Sequence, residues 1–140
     1  MTRTVITATQ LSAGAANPAV SQSTDATNGH SIAFPNGTLG QSKGASWALA
    51  LRVVNSAGAG KNVIVRANTG VPSGSYYAPF HPQAAKGDLT IQCAASSATP
   101  QYIVALDSSR YVQDDGTVSI DYESGFTGTI EAYIWPIAAG

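Results

Sequence analysis

The sequence predicts an all-β fold, a single compact β-sandwich or jelly-roll-like barrel of about seven to eight short antiparallel strands with an extended N-terminal arm. Apolar residues alternate with polar ones in several segments, which is the period of strands with one buried face. Turn signals such as Asn-Gly and Asp-Gly separate these segments. No segment shows the period of an amphipathic helix.

The length of 140 residues fits one domain, to which we assign residues 1–140. A chain of this length buries roughly 65–70% of its unfolded surface, so it requires no disulfide to fold. The single cysteine, Cys93, cannot form an internal disulfide. Cys93 shares a predicted strand face with Leu89 and Ile91, which favours a buried structural thiol over a nucleophile.

The charge content is low, because only 11% of the residues are charged and the net charge is -1. Either a partner or further copies of the chain cover part of the surface, or Ser, Thr, Asn and Gly residues keep it solvated. The few cations are scattered along the sequence, which argues against a nucleic acid or an anionic membrane as partner. No apolar run approaches the roughly 20 residues of a membrane-spanning helix.

The N-terminal third of the sequence is predicted to form a strand, a loop and a second strand. Residues 1–10 are rich in β-branched types and predict a strand or an extended arm. Residues 11–29 are small and polar, and they predict a loop that ends in an Asn28-Gly29 turn. Residues 30–34 predict a short strand that Pro35 ends.

The clearest strand covers residues 47–55. The two-residue period places four large side chains on one of its faces: Trp47, Leu49, Leu51 and Val53. We interpret residues 56–61 as a hairpin connection to a return strand at residues 62–68. The inward side chains of the return strand are Val63, Val65 and Ala67.

Residues 71–87 form a long loop, stiffened by prolines, that breaks the strand pattern. Loops of this length are uncommon unless they are functional or disordered. The loop carries a cluster of ring-bearing side chains: Tyr76, Tyr77, Phe80 and His81. Two interpretations stay open, since such rings provide contact area at low entropic cost in a binding surface, and the loop can equally cap its own sheet.

Four further strands are predicted in the C-terminal half. Residues 88–93 form the first. Residues 102–106, with Tyr102, Val104 and Leu106 alternating, and residues 118–122 flank a polar connection closed by Asp115-Gly116, the signature of antiparallel strands joined by a turn.

The last predicted strand covers residues 129–135. Its inward side chains are Ile130, Ala132 and Ile134, whereas Tyr133 and Trp135 point outward and form a second candidate patch. Another element or subunit usually covers a tryptophan on an outer strand face.

Catalytic and metal-binding patterns are weak. The two histidines, His30 and His81, lie beside no nucleophile-elbow motif, so the sequence predicts no catalytic triad. The acidic residues near Asp115 do not follow the calcium-loop spacing, and no glycine-rich phosphate loop is present. We therefore expect no enzymatic activity, no cofactor and no metal.

Several segments, taken in order, resemble the small head proteins of tailed phages of actinobacteria and related prophages, which look like capsid decoration (cement) proteins. The resemblance covers roughly residues 2–135 and departs from the family at 36–46 and 71–86. The segments are Asp25-Ala26-Thr27-Asn28-Gly29-His30, Leu51-Arg52-Val53-Val54-Asn55-Ser56, Asn62-Val63-Ile64-Val65-Arg66-Ala67, Gly87-Asp88-Leu89-Thr90-Ile91, residues 106–116 and Gly125-Phe126-Thr127-Gly128-Thr129-Ile130.

The resemblance implies a homotrimer on the outer surface of the virion head, where it clamps neighbouring subunits of the major capsid protein. An extended N-terminal arm can add a strand to an exposed edge of the shell. The alternative is a carbohydrate- or receptor-binding β-sandwich of a fibre or spike, in which exposed rings stack on sugars. The candidate contact residues are Thr2, Arg3, Thr4, Val5, Ile6, Tyr76, Tyr77, Phe80, His81, Tyr133 and Trp135.

Overall fold

The fold is mostly β, with strands arranged in two mixed sheets. It is seen in a computed structural model that describes residues 3–11, 14, 20–33, 38–39, 46–67, 87–97, 99–105, 111, 113 and 117–136. A 3-10 turn lies at Ala95–Ser97. The strands are β1 (Thr4–Thr7), β2 (Thr9–Gln10), β3 (Gln22–Ser23), β4 (His30–Ala33), β5 (Thr38–Leu39), β6 (Ser46–Asn55), β7 (Lys61–Val65), β8 (Leu89–Cys93), β9 (Gln101–Ala105), β10 (Val118–Tyr122) and β11 (Gly128–Pro136).

The first sheet, here called sheet A, has the strand order β1-β4-β10-β7-β8. The second, sheet B, has the order β2-β11-β6-β5, with β3 paired to β11 and β9 paired to β6. The long strands β6 and β11 form the centre of sheet B, and their antiparallel register runs from Gly128 opposite Asn55 to Pro136 opposite Trp47. The all-β class predicted from the sequence is confirmed.

The hydrophobic core is built from one side-chain row of each of the longer strands. Alternation in β6 buries Leu49, Leu51 and Val53 completely, and alternation in β7 does the same for Val63 and Val65. Burying a side chain of this size contributes about 1.5–3 kcal/mol. Other members of the same cluster come from the remaining strands: Ile6, Ile32, Cys93, Ile103, Val118, Ile120, Ile130 and Ile134.

The connections between consecutive strands differ from the prediction. Residues 56–61 were expected to close a hairpin, but β6 lies in sheet B and β7 in sheet A. Strands β9 and β10, on either side of the Asp115-Gly116 signal, also lie in different sheets. The hairpin predictions are therefore wrong, because the same turn residues also form corners that carry a chain from one layer of a sandwich to the other.

The prediction of purely antiparallel strands is wrong at three pairings, since β1 runs parallel to β4, β2 to β11 and β5 to β6. The first two pairings come from one N-terminal segment that changes sheet at Ala8. The side chains of Ile6 and Ala8 are 2% and 4% exposed, so this segment contributes to the core. The described part of the N-terminal segment thus forms two strands within the sheets, where an extended arm was expected.

Candidate contact surfaces

The outer face of sheet B presents ordered rows of side chains across β9, β6 and β11. Arg52 of β6 lies opposite Tyr102 of β9 on one side and opposite Glu131 of β11 on the other, so these three residues form one row. The next row places Val104 and Tyr133 on either side of Ala50. Residues directly opposite each other share a face, so aromatic and apolar groups surround one ion pair.

The charges on this face neutralise each other. Arg52 Nη1 donates to Glu131 Oε2 over 3.2 Å, and the Glu131 side chain is only 10% exposed. A hydrogen bond with Tyr102, followed by the bond with Glu131, raises the pKa of Arg52. Burial, followed by the charge of Glu131, raises the pKa of Tyr133. The polar groups on the face thus already have partners within the chain.

The apolar groups on the same face are exposed. Tyr102 is 68% and Val104 is 56% exposed, and these two residues are here called the β9 patch. Exposed apolar side chains that adjoin one another on a face rimmed by polar groups can mark a site that a partner covers. The β9 patch therefore has the properties of a contact surface.

The outer face of sheet A carries a second charge network. The guanidinium group of Arg3 forms two bonds to the Asp121 carboxylate, at 2.5 Å and 3.0 Å. Arg66 Nε donates to Asp121 over 2.6 Å, while Arg66 Nη1 donates to Asp88 over 2.7 Å. Two cations and two anions thus link β1, β10, β7 and the start of β8.

The electrostatics of this network follow from its geometry. The Arg3 guanidinium, followed by that of Arg66, holds the pKa of Asp121 below its usual value, although burial acts in the opposite direction. Hydrogen bonds with Asp121 and then Asp88 raise the pKa of Arg66. Bidentate arginine–carboxylate pairs are geometrically specific, so the network fixes the start of β1 against β10.

A pocket of about 410 Å³ opens within this network, and one of its lining residues, Arg3, directly precedes the edge strand β1, which carries Val5. Val5 is 58% exposed. Val5 and the pocket are here called the β1 surface. The residues that line the pocket are Arg3, Arg66, Asp88, Gln113, Ser119 and Asp121.

Three further buried titratable groups, His30, Tyr122 and Cys93, belong to the interior of the sandwich. His30 Nδ1 and the Tyr122 hydroxyl share a hydrogen bond of 2.8 Å, and the two rings meet edge to face. Burial lowers the pKa of His30 and raises the pKa of Tyr122. Burial also raises the pKa of the Cys93 thiol, which is inaccessible as predicted.

Neither a metal cluster nor a membrane helix is found where the structure is described. Within the described ranges, no three His, Cys, Asp or Glu side chains gather in a way that would hold a metal ion. The same part of the chain contains no helix of the length and hydropathy that crossing a membrane requires.

The structure places the predicted contact residues in different environments. Arg3 lies in the charge network, and Thr4 donates to Asp25 over 3.3 Å. Ile6 is buried in the core, which removes it from any contact surface. Tyr133 and Trp135 lie partly exposed on the outer side of β11. The remaining candidates, Thr2, Tyr76, Tyr77, Phe80 and His81, lie outside the described residues.

The sequence interpretation missed the β9 patch. The sequence interpretation took Tyr102, Val104 and Leu106 as the alternating apolar row of this strand, and that phase is wrong for Tyr102 and Val104. The structure buries Ile103 at 4% exposure and turns its two neighbours outward. Arg52 identifies the outer face of β9 only through the β6–β9 register, which the sequence does not give.

Comparison of the chain with family models, with curated proteins and with solved structures finds no match. The resemblance to decoration proteins therefore rests on the sequence segments and stays an expectation.

Proposed function

We propose that this chain is a decoration (cement) protein of a tailed-phage head, located on the outer surface of the virion. It binds the lattice of the major capsid protein as a homotrimer and stabilises the shell. Its action is mechanical, because internal pressure must break its contacts before neighbouring shell subunits can separate. Repetition over the symmetric lattice adds avidity, so a modest affinity per site is sufficient.

The observation that carries this proposal is the character of the two outer sheet faces. The outer face of sheet B exposes Tyr102 and Val104 and that of sheet A exposes Val5, and the arginines on each face are already paired with carboxylates inside the chain. Such faces are suited to cover by protein, since burial removes apolar area from water and leaves no charge unpaired. A low content of charged residues, 11%, agrees with this role.

The finer architecture is part of the same proposal. We take the sandwich to be jelly-roll-like, with about seven to eight principal strands. The aromatic loop at 71–87 provides the contact with the shell through its rings. The part of the N-terminal segment that remains available for contact is the exposed side of β1.

The test is co-sedimentation of the purified protein with phage heads that lack it. We expect saturable binding at a fixed ratio of about one copy per major capsid subunit, or one trimer at each three-fold position. Replacing Tyr76, Tyr77 and Phe80 by Ser should lower the occupancy, whereas Val20→Ser, at an exposed site, should not. Absence of any binding would reject the proposal.

A melting curve of the triple variant decides between the two interpretations of the loop. An unchanged melting temperature with reduced occupancy identifies the rings as shell contacts. A large decrease in melting temperature identifies the loop as a cap over the core, because removing buried rings costs about 3–5 kcal/mol each.

A second candidate, a glycan- or receptor-binding module, is favoured by the 68% exposed ring of Tyr102 beside Arg52. Aromatic rings of this kind can stack on the apolar face of a sugar. A monomeric protein that does not bind phage heads but binds immobilised glycans would support this candidate.

A further inference from the structure

The turn before β4 contains an Asn-Gly pair, Asn28-Gly29, that can modify itself. In such a pair the peptide nitrogen of the glycine can attack the side-chain carbonyl carbon of the asparagine. Glycine has no Cβ atom to hinder this attack, and asparagine is among the thermolabile residues. The pair is thus a reactive group for which the proposed function has no use.

The reaction needs no co-reactant except water. The Gly29 nitrogen loses its proton and bonds to Cγ of Asn28, while the C–N bond of the side-chain amide breaks and ammonia leaves. Water then opens the cyclic imide at either of its carbonyl carbons. One opening produces aspartate at position 28. The other produces isoaspartate, in which the main chain runs through the former side chain and is longer by a methylene group.

Asp25 holds both reacting groups in the folded turn. Gly29 N donates to the Asp25 carbonyl oxygen over 2.8 Å, and Asn28 Nδ2 donates to Asp25 Oδ2 over 3.2 Å. Asp25 Oδ1 accepts two more bonds, from the backbone N–H groups of Thr27 and Asn28. Because the Gly29 N–H is engaged, the attack on Asn28 requires the turn to open first.

The start of β1 keeps this turn closed. Thr4 N donates to the Gly29 carbonyl oxygen over 3.2 Å, and Thr4 Oγ1 donates to Asp25 Oδ2 over 3.3 Å. Arg3 lies against Gly29, at the position that a Cβ atom would take, and its guanidinium group is bonded to Asp121. The turn therefore opens only when residues 3 and 4 leave it, so the docking of β1 controls the rate of the reaction.

Neither product fits the closed turn. Aspartate at position 28 places a carboxylate where Asn28 Nδ2 now donates to Asp25, and two adjacent carboxylates repel each other. The backbone N–H of Asn28 holds the pKa of Asp25 below its usual value, so Asp25 is charged at neutral pH. Isoaspartate lengthens the main chain and shifts Gly29, which has no free space beside Arg3 and Asp121.

We propose that Asn28 is a modification site at which the loss of ammonia permanently releases the start of β1 from the turn. While β1 is docked, the reaction is slow. Once residues 3 and 4 have left, the reaction proceeds, and its product prevents them from returning. The inference does not depend on the proposed function, since every contact that carries it lies within one copy of the chain.

The first test measures conversion at position 28 in the full chain, with and without guanidinium chloride, at mildly alkaline pH. Peptide mass spectrometry detects the mass increase that accompanies the change from amide to acid. We expect conversion in the folded protein to be about tenfold slower than in denaturant, or slower still. Asn36-Gly37 is the reference in denaturant, where both pairs should convert at similar rates. Equal rates at Asn28 with and without denaturant would overturn the proposal.

Two arginine variants test whether β1 controls the reaction. Arg3→Ala removes the side chain that lies against Gly29 and should accelerate conversion of the folded protein by about fivefold or more. Arg52→Ala is the matched control, because Arg52 is also paired with a carboxylate, that of Glu131, but belongs to sheet B. Equal acceleration by the two substitutions would mean that global unfolding sets the rate, which overturns the role of β1.

The last test asks whether conversion releases β1. Ion exchange separates converted from unconverted protein, because conversion adds a negative charge. In converted protein the amide hydrogen of Thr4 should exchange with solvent about tenfold faster. The amide of Glu123, which donates to the Asn62 carbonyl oxygen, is the internal control and should not change. Asn28→Asp should also increase exchange at Thr4, since it introduces the charge directly. An unchanged exchange rate at Thr4 in converted protein would overturn the release of β1.

Discussion

At the scale of single residues, a few positions determine how β1 meets the rest of sheet A. Gly29 has a φ of +73°, a left-handed conformation that glycine adopts without strain. A Cβ atom at this position would collide with Arg3, with the Asp121 carboxylate and with the Ile120 carbonyl. The absence of a side chain at residue 29 therefore permits the Arg3–Asp121 pair.

Gly29→Ala should destabilise the protein by more than the roughly 1–2 kcal/mol of left-handed strain alone. Gly87→Ala is the matched control, because Gly87 has a φ of +77° and open space where the Cβ would lie. Urea denaturation of both variants measures the difference. Equal costs for the two substitutions would show that the Arg3 and Asp121 side chains and the Ile120 carbonyl all shift at little cost.

At the scale of elements, the two-residue alternation of apolar and polar residues predicted the positions of the longer strands. It did not predict which strands pair with each other. The inward rows of β6, β7 and β11 were predicted where they are described, because large aliphatic side chains recur at every second residue of these strands. The change from sheet B to sheet A at residues 56–60 was not predicted. Glycine-rich turns occur both in hairpins and in connections between two sheets, so the turn residues do not distinguish the two. The phase of β9 was predicted wrongly, with Tyr102 and Val104 in the apolar row, because Ile103 between them is apolar too and three consecutive apolar residues do not determine a phase.

The N-terminal strand offers a direct test at this scale. Ile6→Ala should cost about 2–5 kcal/mol, because the Ile6 side chain is buried and its loss leaves a cavity. Val5→Ala, one residue away and 58% exposed, should stay within about 0.5 kcal/mol. Chemical denaturation measures both. A cost below about 0.5 kcal/mol for Ile6→Ala would mean that β1 is a detachable arm.

At the scale of the whole molecule, the buried histidine and the ion pairs make stability depend on pH. Burial lowers the pKa of His30 from 6.5, so the unfolded chain takes up a proton before the folded one does. Arg3 and Arg66 lower the pKa of Asp121 from 3.8, so that carboxylate loses its stabilising contacts only at lower pH. Stability should therefore be greatest above about pH 6.5 and decrease in two stages on acidification.

His30→Gln should remove the first of these stages, because no group at position 30 then takes up a proton. The slope from His30 is at most about 1.4 kcal/mol per pH unit, which corresponds to one proton. Denaturation midpoints measured from pH 8 to pH 4 in both proteins test this. The same decrease between pH 6.5 and pH 5 in wild type and variant would exclude His30 as its source.

The change of sheet at Ala8 has a consequence for the order of folding. Thr9 and Gln10 of β2 lie beside Tyr133 and Ile134 of β11, so residues near opposite ends of the sequence become neighbours. β11 also lies at the centre of sheet B, between β6 and the short strands β2 and β3. Contacts between residues so far apart close slowly, and sandwiches dominated by them fold in milliseconds to seconds. During synthesis on the ribosome, the edge of β6 that pairs with β11 stays unpaired until β11 has emerged. A chaperone or a neighbouring nascent chain can bind that edge during this time.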